Sequence, residues 1–79
     1  GDAYSEKGQP DLAIADLNKA IELKPDDAYA YYNRGNAYYN KGQYSQARSD
    51  WEQALRLDPT GPAGRGAKHN LNVLRQEGH

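Results

Sequence analysis

The chain reads as an all-α protein built from stacked antiparallel helix–turn–helix units. The first observation behind this is internal: residues 1–27 laid on residues 35–61 match at Gly1/Gly35, Ala3/Ala37, Tyr4/Tyr38, Lys7/Lys41, Gly8/Gly42, Gln9/Gln43, Ala13/Ala47, Asp16/Asp50, Ala20/Ala54, Leu23/Leu57 and Pro25/Pro59. A fixed period of 34 residues marks supersecondary units that cannot bury their apolar faces alone. The second observation is that apolar residues recur at helical spacing between the punctuating residues. The third is the punctuation itself, glycine where a helix would end and proline where the next would begin.

The complete unit is residues 28–61. Ala30, Tyr31, Arg34, Gly35 and Tyr38 share one helical face. Pro25, Asp26 and Asp27 precede them, and acidic groups favour the positive end of a helix. Gly42 fits a helix C-terminus. A second helix follows with the stripe Tyr44, Ala47, Trp51, Ala54 and Leu55. Glu52 and Arg56 are spaced to form an exposed i,i+4 pair. Pro59 closes the unit, because a proline biases the residue before it away from helical angles. Gly35, Ala37, Ala47, Ala20 and Ala54 let helices approach closely, and Tyr38 and Trp51 fill the remaining space.

Residues 1–27 form a truncated first unit. Residues 2–7 are the tail of a helix ended by Gly8. The next helix starts near Pro10 and runs to about Lys24, with Ala13, Ile14, Leu17, Ala20 and Ile21 inward. The missing front half leaves Ile14, Leu17 and Ile21 as a bare apolar edge. Residues 62–79 leave the repeat, and only Asn70 matches its counterpart, Asn36. Gly61 to Gly66 reads as a flexible, poorly helical linker. Ala67, Leu71 and Leu74 then give a helix with a narrow apolar stripe, as an end-capping helix requires.

The unit resembles the tetratricopeptide repeat, whose pattern is Trp-x2-Leu-Gly-x2-Tyr, then Ala-x3-Phe, then Pro. Here it runs Tyr31-x2-Arg34-Gly35-x2-Tyr38, Ala47-x3-Trp51 and Pro59, and the earlier copy has Tyr4, Ala13-x3-Leu17 and Pro25. Arg34 departs from the pattern's leucine. It is expected to bury its stem and send its charge to solvent.

The resemblance implies that the first helix of the unit lines a concave groove. Tyr29, Tyr32, Asn33, Asn36, Tyr39 and Asn40 would face the ligand, with Asp2, Ser5 and Glu6 as an acidic edge. The residue types suit a peptide. Asparagine both donates and accepts, and tyrosine offers large area with few rotatable bonds. The expected function is therefore a protein–protein interaction module binding a peptide or partner helix. The alternatives are a self-associating fragment, homodimeric through its truncated first repeat, and an adaptor segment of a larger enzyme. Some members of the family clamp C-terminal carboxylates with Lys, Arg and Asn. Only Asn33 matches that set, so this mode is not expected.

Composition narrows the rest. The 79 residues carry a net charge of −1, with no cysteine, no phenylalanine and seven tyrosines. Disulfides and thiolate metal sites are excluded, and no strong field draws nucleic acid or a membrane. No apolar run approaches the ~20 residues of a membrane span. A cytoplasmic setting is the expectation, although Gly1 falls in mid-pattern and a targeting segment can lie outside these residues. His69 and His79 lack partners at ligand spacing. Gly61-x4-Gly66 lacks the following lysine of a phosphate loop. No nucleophile–base set is visible. No enzyme activity, cofactor or metal is expected.

Overall fold

The computed structural model describes residues 10–78. The expected helix tail over residues 2–7, the edge of Asp2, Ser5 and Glu6, and His79 lie outside the described residues. Four helices follow in order: α1 (Pro10–Leu23), α2 (Ala28–Asn40), α3 (Tyr44–Leu57) and α4 (Pro62–Gln76).

Local chemistry sets the ends of α2. Asp27 is its N-cap, and one carboxylate oxygen accepts from the backbone N–H groups of Tyr29 and Ala30 at 3.1 and 3.4 Å. That satisfies donors that a helix start leaves orphaned. At the other end Gly42 has φ of 82°, the left-handed angle that glycine takes without a steric penalty. Proline opens both α1 and α4, where its missing N–H costs nothing.

Cross-helix contacts give the stacking. Lys41, after the end of α2, is ion-paired with Asp11 at the start of α1, and Arg34 reaches Asn18 midway along both helices. These two helices are antiparallel. Tyr39 on α2 meets Tyr44 on α3, with ring centroids 5.4 Å apart, so α2 and α3 are antiparallel as well. Helix α4 runs parallel to α2. Asn70 bonds Asn36 and Glu77 bonds Tyr39, so the 34-residue period of the sequence becomes a direct side-chain contact.

The core lies among α2, α3 and α4. Ala47, Trp51, Ala54, Ala67 and Leu74 are buried together, with Tyr31, Tyr32, Tyr38, Tyr39, Tyr44 and Leu71 packed against them. Small residues do set the helix approach. A Cβ on Gly35 would lie 2.6 Å from the Trp51 ring, so the bare glycine admits the indole.

Four sequence expectations are corrected. Residues 62–66 are not a flexible linker but the first turn of α4, and Ala63 and Gly64 are buried. The reason is close approach: a Cβ on Gly64 would lie 1.6 Å from the Asp58 carbonyl oxygen. The glycine there seats the helix on the chain before it. The edge of α1 is less bare than expected, because Ile14 is buried and Leu17 and Ile21 are half-buried. The exposed leucines of α1 are Leu12 and Leu23 instead. Arg56 donates to Gln53 at 2.9 Å rather than pairing with Glu52. Lastly, the Arg34 charge does not go to solvent, as its partners show.

Candidate functional site

Helix α2 sits between α1 and α4 and makes a polar tie to each side. The tie toward α1 is charged. The Nε and Nη2 atoms of Arg34 donate to the two carboxylate oxygens of Asp50 at 2.8 and 2.7 Å, and Nη1 donates to Asn18 Oδ1 at 2.9 Å. This bidentate fork is the strong form of the ion pair. It joins three helices, and Asp50 is only 5% exposed. The Arg34 guanidinium also lies 5.4 Å from the Tyr31 ring centroid and 5.9 Å from that of Tyr38, within cation–π range. Its hydrogen bonds to Asp50 raise Arg34 above its ordinary pKa, against the opposing effect of burial. It stays charged at every accessible pH.

The tie toward α4 is neutral. Trp51 is 3% exposed, and its indole N–H is shared between the Tyr32 carbonyl and Asn36 Oδ1, both at 3.2 Å. The same Oδ1 accepts from Asn70 Nδ2 at 3.0 Å. Asn36 thus joins α2, α3 and α4. Tyrosines bracket it along the seam between α2 and α4. A Cβ on Gly66 would lie 2.9 Å from Tyr32, so the glycine makes room for that ring. The Tyr39 hydroxyl donates to Glu77 Oε1 at 2.6 Å. That hydrogen bond, with burial second, raises the Tyr39 phenol above its ordinary pKa.

The six residues expected to line a groove therefore divide. Tyr29, 51% exposed, and the exposed Asn33 and Asn40 face outward. Tyr32, Asn36 and Tyr39 are half-buried and reach toward α4. Sequence reading missed the α4 side of the seam: Gly66, Asn70 and Glu77. The available signal was that Asn70 alone keeps the repeat register in the last helix.

A separate cleft of about 300 Å³ lies between α3 and α4, lined by Arg48, Glu52, Leu71, Leu74 and Arg75. It shares no residue with the seam. Among the described residues, no group of three or more histidine or carboxylate side chains is placed to hold a metal ion. Nor is any helix among them long and apolar enough to cross a membrane.

Comparison with known proteins agrees with this architecture. Residues 1–42 match a family model described as a TPR repeat, and residues 28–60 match the tetratricopeptide repeat model. The chain is 29% identical over 68 residues to the human mitochondrial import receptor subunit TOM70, covering 86% of this chain and 11% of that protein. It is 41% identical over 58 residues to the Bos taurus Protein SGT1 homolog, covering 73% of this chain and 17% of the relative. It is 34% identical over 64 residues to the mouse peptidyl-prolyl cis-trans isomerase FKBP4, covering 81% of this chain and 13% of the relative. The chain thus spans less than a fifth of the length of each of these relatives. With more than half of its residues inside a matching family model, the chain belongs to the tetratricopeptide repeat family, a fold of protein–protein interaction modules.

Proposed function

We propose that this segment binds a protein partner through the face of α2 that carries Tyr29, Tyr32, Asn33, Asn36, Tyr39 and Asn40. The observation that carries the reading is the exposed strip of Tyr29, Asn33 and Asn40 beside the α2–α4 seam. These residues stand on one face at helical spacings. None of the three has a side-chain role in holding the described helices together. Large aromatic area and adaptable amides are what protein-binding surfaces use. The partner is a peptide segment of another protein. The names of the relatives, an import receptor subunit among them, are consistent with a binding role.

The test is site-specific photo-crosslinking in cells producing the full-length protein. A crosslinker at Asn33 or Asn40 should capture a partner, and one at Gln46 on the exposed side of α3 should not. Capture from Gln46 alone would place the interface elsewhere. Replacing Tyr29 and Asn33 together by alanine should weaken the captured complex by more than ~1 kcal/mol, as truncation of interface anchors does. Helicity should be kept, because alanine is a good helix former.

A further inference from the structure

Charge is not spread evenly over the four helices. Helix α4 holds three of the chain's ten Lys and Arg residues, Arg65, Lys68 and Arg75, and none of its eleven Asp and Glu residues. All three cations are exposed. None has a side-chain hydrogen bond or ion pair among the described residues. Arg34 and Lys41, by contrast, are each paired with a carboxylate. Two of the α4 cations border an apolar recess. The cleft between α3 and α4 is walled by half-buried Leu71 and buried Leu74, with exposed Arg75 on the α4 rim and exposed Arg48 and Glu52 on the α3 rim. Arg48 is already engaged within the fold. Lys68 stands one turn before Leu71 and two turns before Arg75, on the same edge of α4 by helical spacing. At about 300 Å³ the cleft is at the small end for a ligand site and suits one or two side chains. This edge of α4 is not the one that meets α2. Gly66, Asn70 and Glu77 face α2, whereas Leu71 and Arg75 line the α3 side.

We propose that this cleft is a second docking site, which takes a short acidic segment of a partner protein carrying one or two bulky aliphatic side chains. The aliphatic groups enter against Leu71 and Leu74. Carboxylates flanking them in the partner meet Lys68 and Arg75. Glu52 sets the orientation, because a partner carboxylate placed beside it meets like charge. The site is independent of the α2 face. Nucleic acid fits less well. The cleft offers no aromatic ring on which a base could stack, and Glu52 repels a backbone charged at every nucleotide. An anionic membrane calls for a denser cluster, about 4–8 cations.

The test is a titration of the 15N-labelled 79-residue chain with acetyl-Asp-Glu-Leu-Leu-Asp-Glu-amide, whose capped ends present no terminal carboxylate. The peptide should shift the Lys68, Leu71 and Arg75 signals and leave those of Tyr29, Asn33 and Asn40 in place. Two control peptides each remove one feature. Asn and Gln replace the acids in the first, which should bind roughly three- to tenfold more weakly. Gly replaces both leucines in the second, which should bind roughly tenfold more weakly or worse. Affinity for the parent peptide should fall as salt is raised. The variant Lys68→Glu/Arg75→Glu should keep its helix content, since both side chains are exposed, and lose roughly tenfold in affinity through like-charge repulsion. Equal affinity for either control peptide would overturn the assignment, since charge or the recess would then count for nothing. Shifts confined to Tyr29, Asn33 and Asn40 would overturn it too, giving the acidic peptide to the α2 face. Tighter binding of an oligothymidylate at Lys68 and Arg75 would make this edge a nucleic-acid surface instead. No shift at millimolar peptide would remove the cleft as a docking site and leave the α2 face untouched. These outcomes are read on the parent chain, whatever the double variant does.

Discussion

Helix α2 carries two polar ties two residues apart, and they are built to opposite plans. Arg34 is charged and closed: its fork is occupied by Asp50 and its remaining nitrogen by Asn18. Asn36 is neutral and open: its oxygen serves two donors while its nitrogen has no hydrogen-bond partner among the described residues. A buried charge is tolerated only when fully paired, so the first tie has nothing to offer a ligand. An amide is inexpensive to leave half-used at a surface, so the second holds three helices with a polar atom to spare.

The largest effect should come from Trp51, which donates to the open tie and fills the space above Gly35. Truncating a buried tryptophan costs ~3–5 kcal/mol, close to the whole net stability of a domain this small, ~3–5 kcal/mol. Trp51→Ala should therefore lose its cooperative thermal transition by circular dichroism. A melt within a few degrees of the parent would mean that the indole is not central to both packing and tie.

Next comes the closed tie. Asp50→Ala strands the Arg34 guanidinium and should cost about 1.5–3 kcal/mol, the worth of hydrogen bonds to charged groups. Arg34→Leu restores the residue type of the family pattern but strands Asp50, so it should be destabilising as well. The double variant Arg34→Leu/Asp50→Ala should cost less than the sum of the two, since neither charge is left alone. Simple additivity in urea melts would show that the pair is not coupled.

These two ties also show what was legible in the sequence. The Asp27 cap, the Gly42 stop and the Trp51–Gly35 complementarity are local or fixed by the repeat, and each was readable. The Arg34–Asp50 pair spans 16 residues, and Arg34 alone suggested a solvated charge. Its signal was there unread, because Asp50 is one of the positions the repeat keeps, as Asp16. The α4 side of the seam was hidden by composition. Three glycines within residues 61–66 argue against a helix by propensity. Packing overrides that, because only a residue without a side chain fits against the Asp58 carbonyl at Gly64.

That seat gives a sharper probe of the open tie. Gly64→Ala has excellent helix propensity but drives its Cβ into backbone, so α4 must shift, at a cost of about 1–3 kcal/mol. The variant should be less stable and should also lose the Asn36–Asn70 contact, read as a change in the Asn70 side-chain signals. A more stable variant would show that α4 is not seated as described.

The smallest effect is at the far end of the seam. Glu77 raises the Tyr39 phenol above its ordinary value of 10.0. The neutral phenol is thus favoured in the folded state. Its contribution to stability is complete below the unfolded value of about 10, and disappears as pH rises through the higher folded value. Absorbance titration should find one late-ionising tyrosine, and Glu77→Gln should bring it back toward the others. No change on that substitution would remove the Tyr39–Glu77 contact from the seam.

Side-chain hydrogen exchange distinguishes the closed tie from the open one most directly. In the parent chain the Arg34 Nε–H and the Trp51 indole N–H should exchange slowly, each held in a hydrogen bond within the folded structure. The Asn36 Nδ2 protons should exchange at the rate of a solvated amide, although Asn36 lies between two protected groups. Equal protection of Asn36 Nδ2 and Arg34 Nε would contradict the account, because the amide would then be fully used in holding the fold.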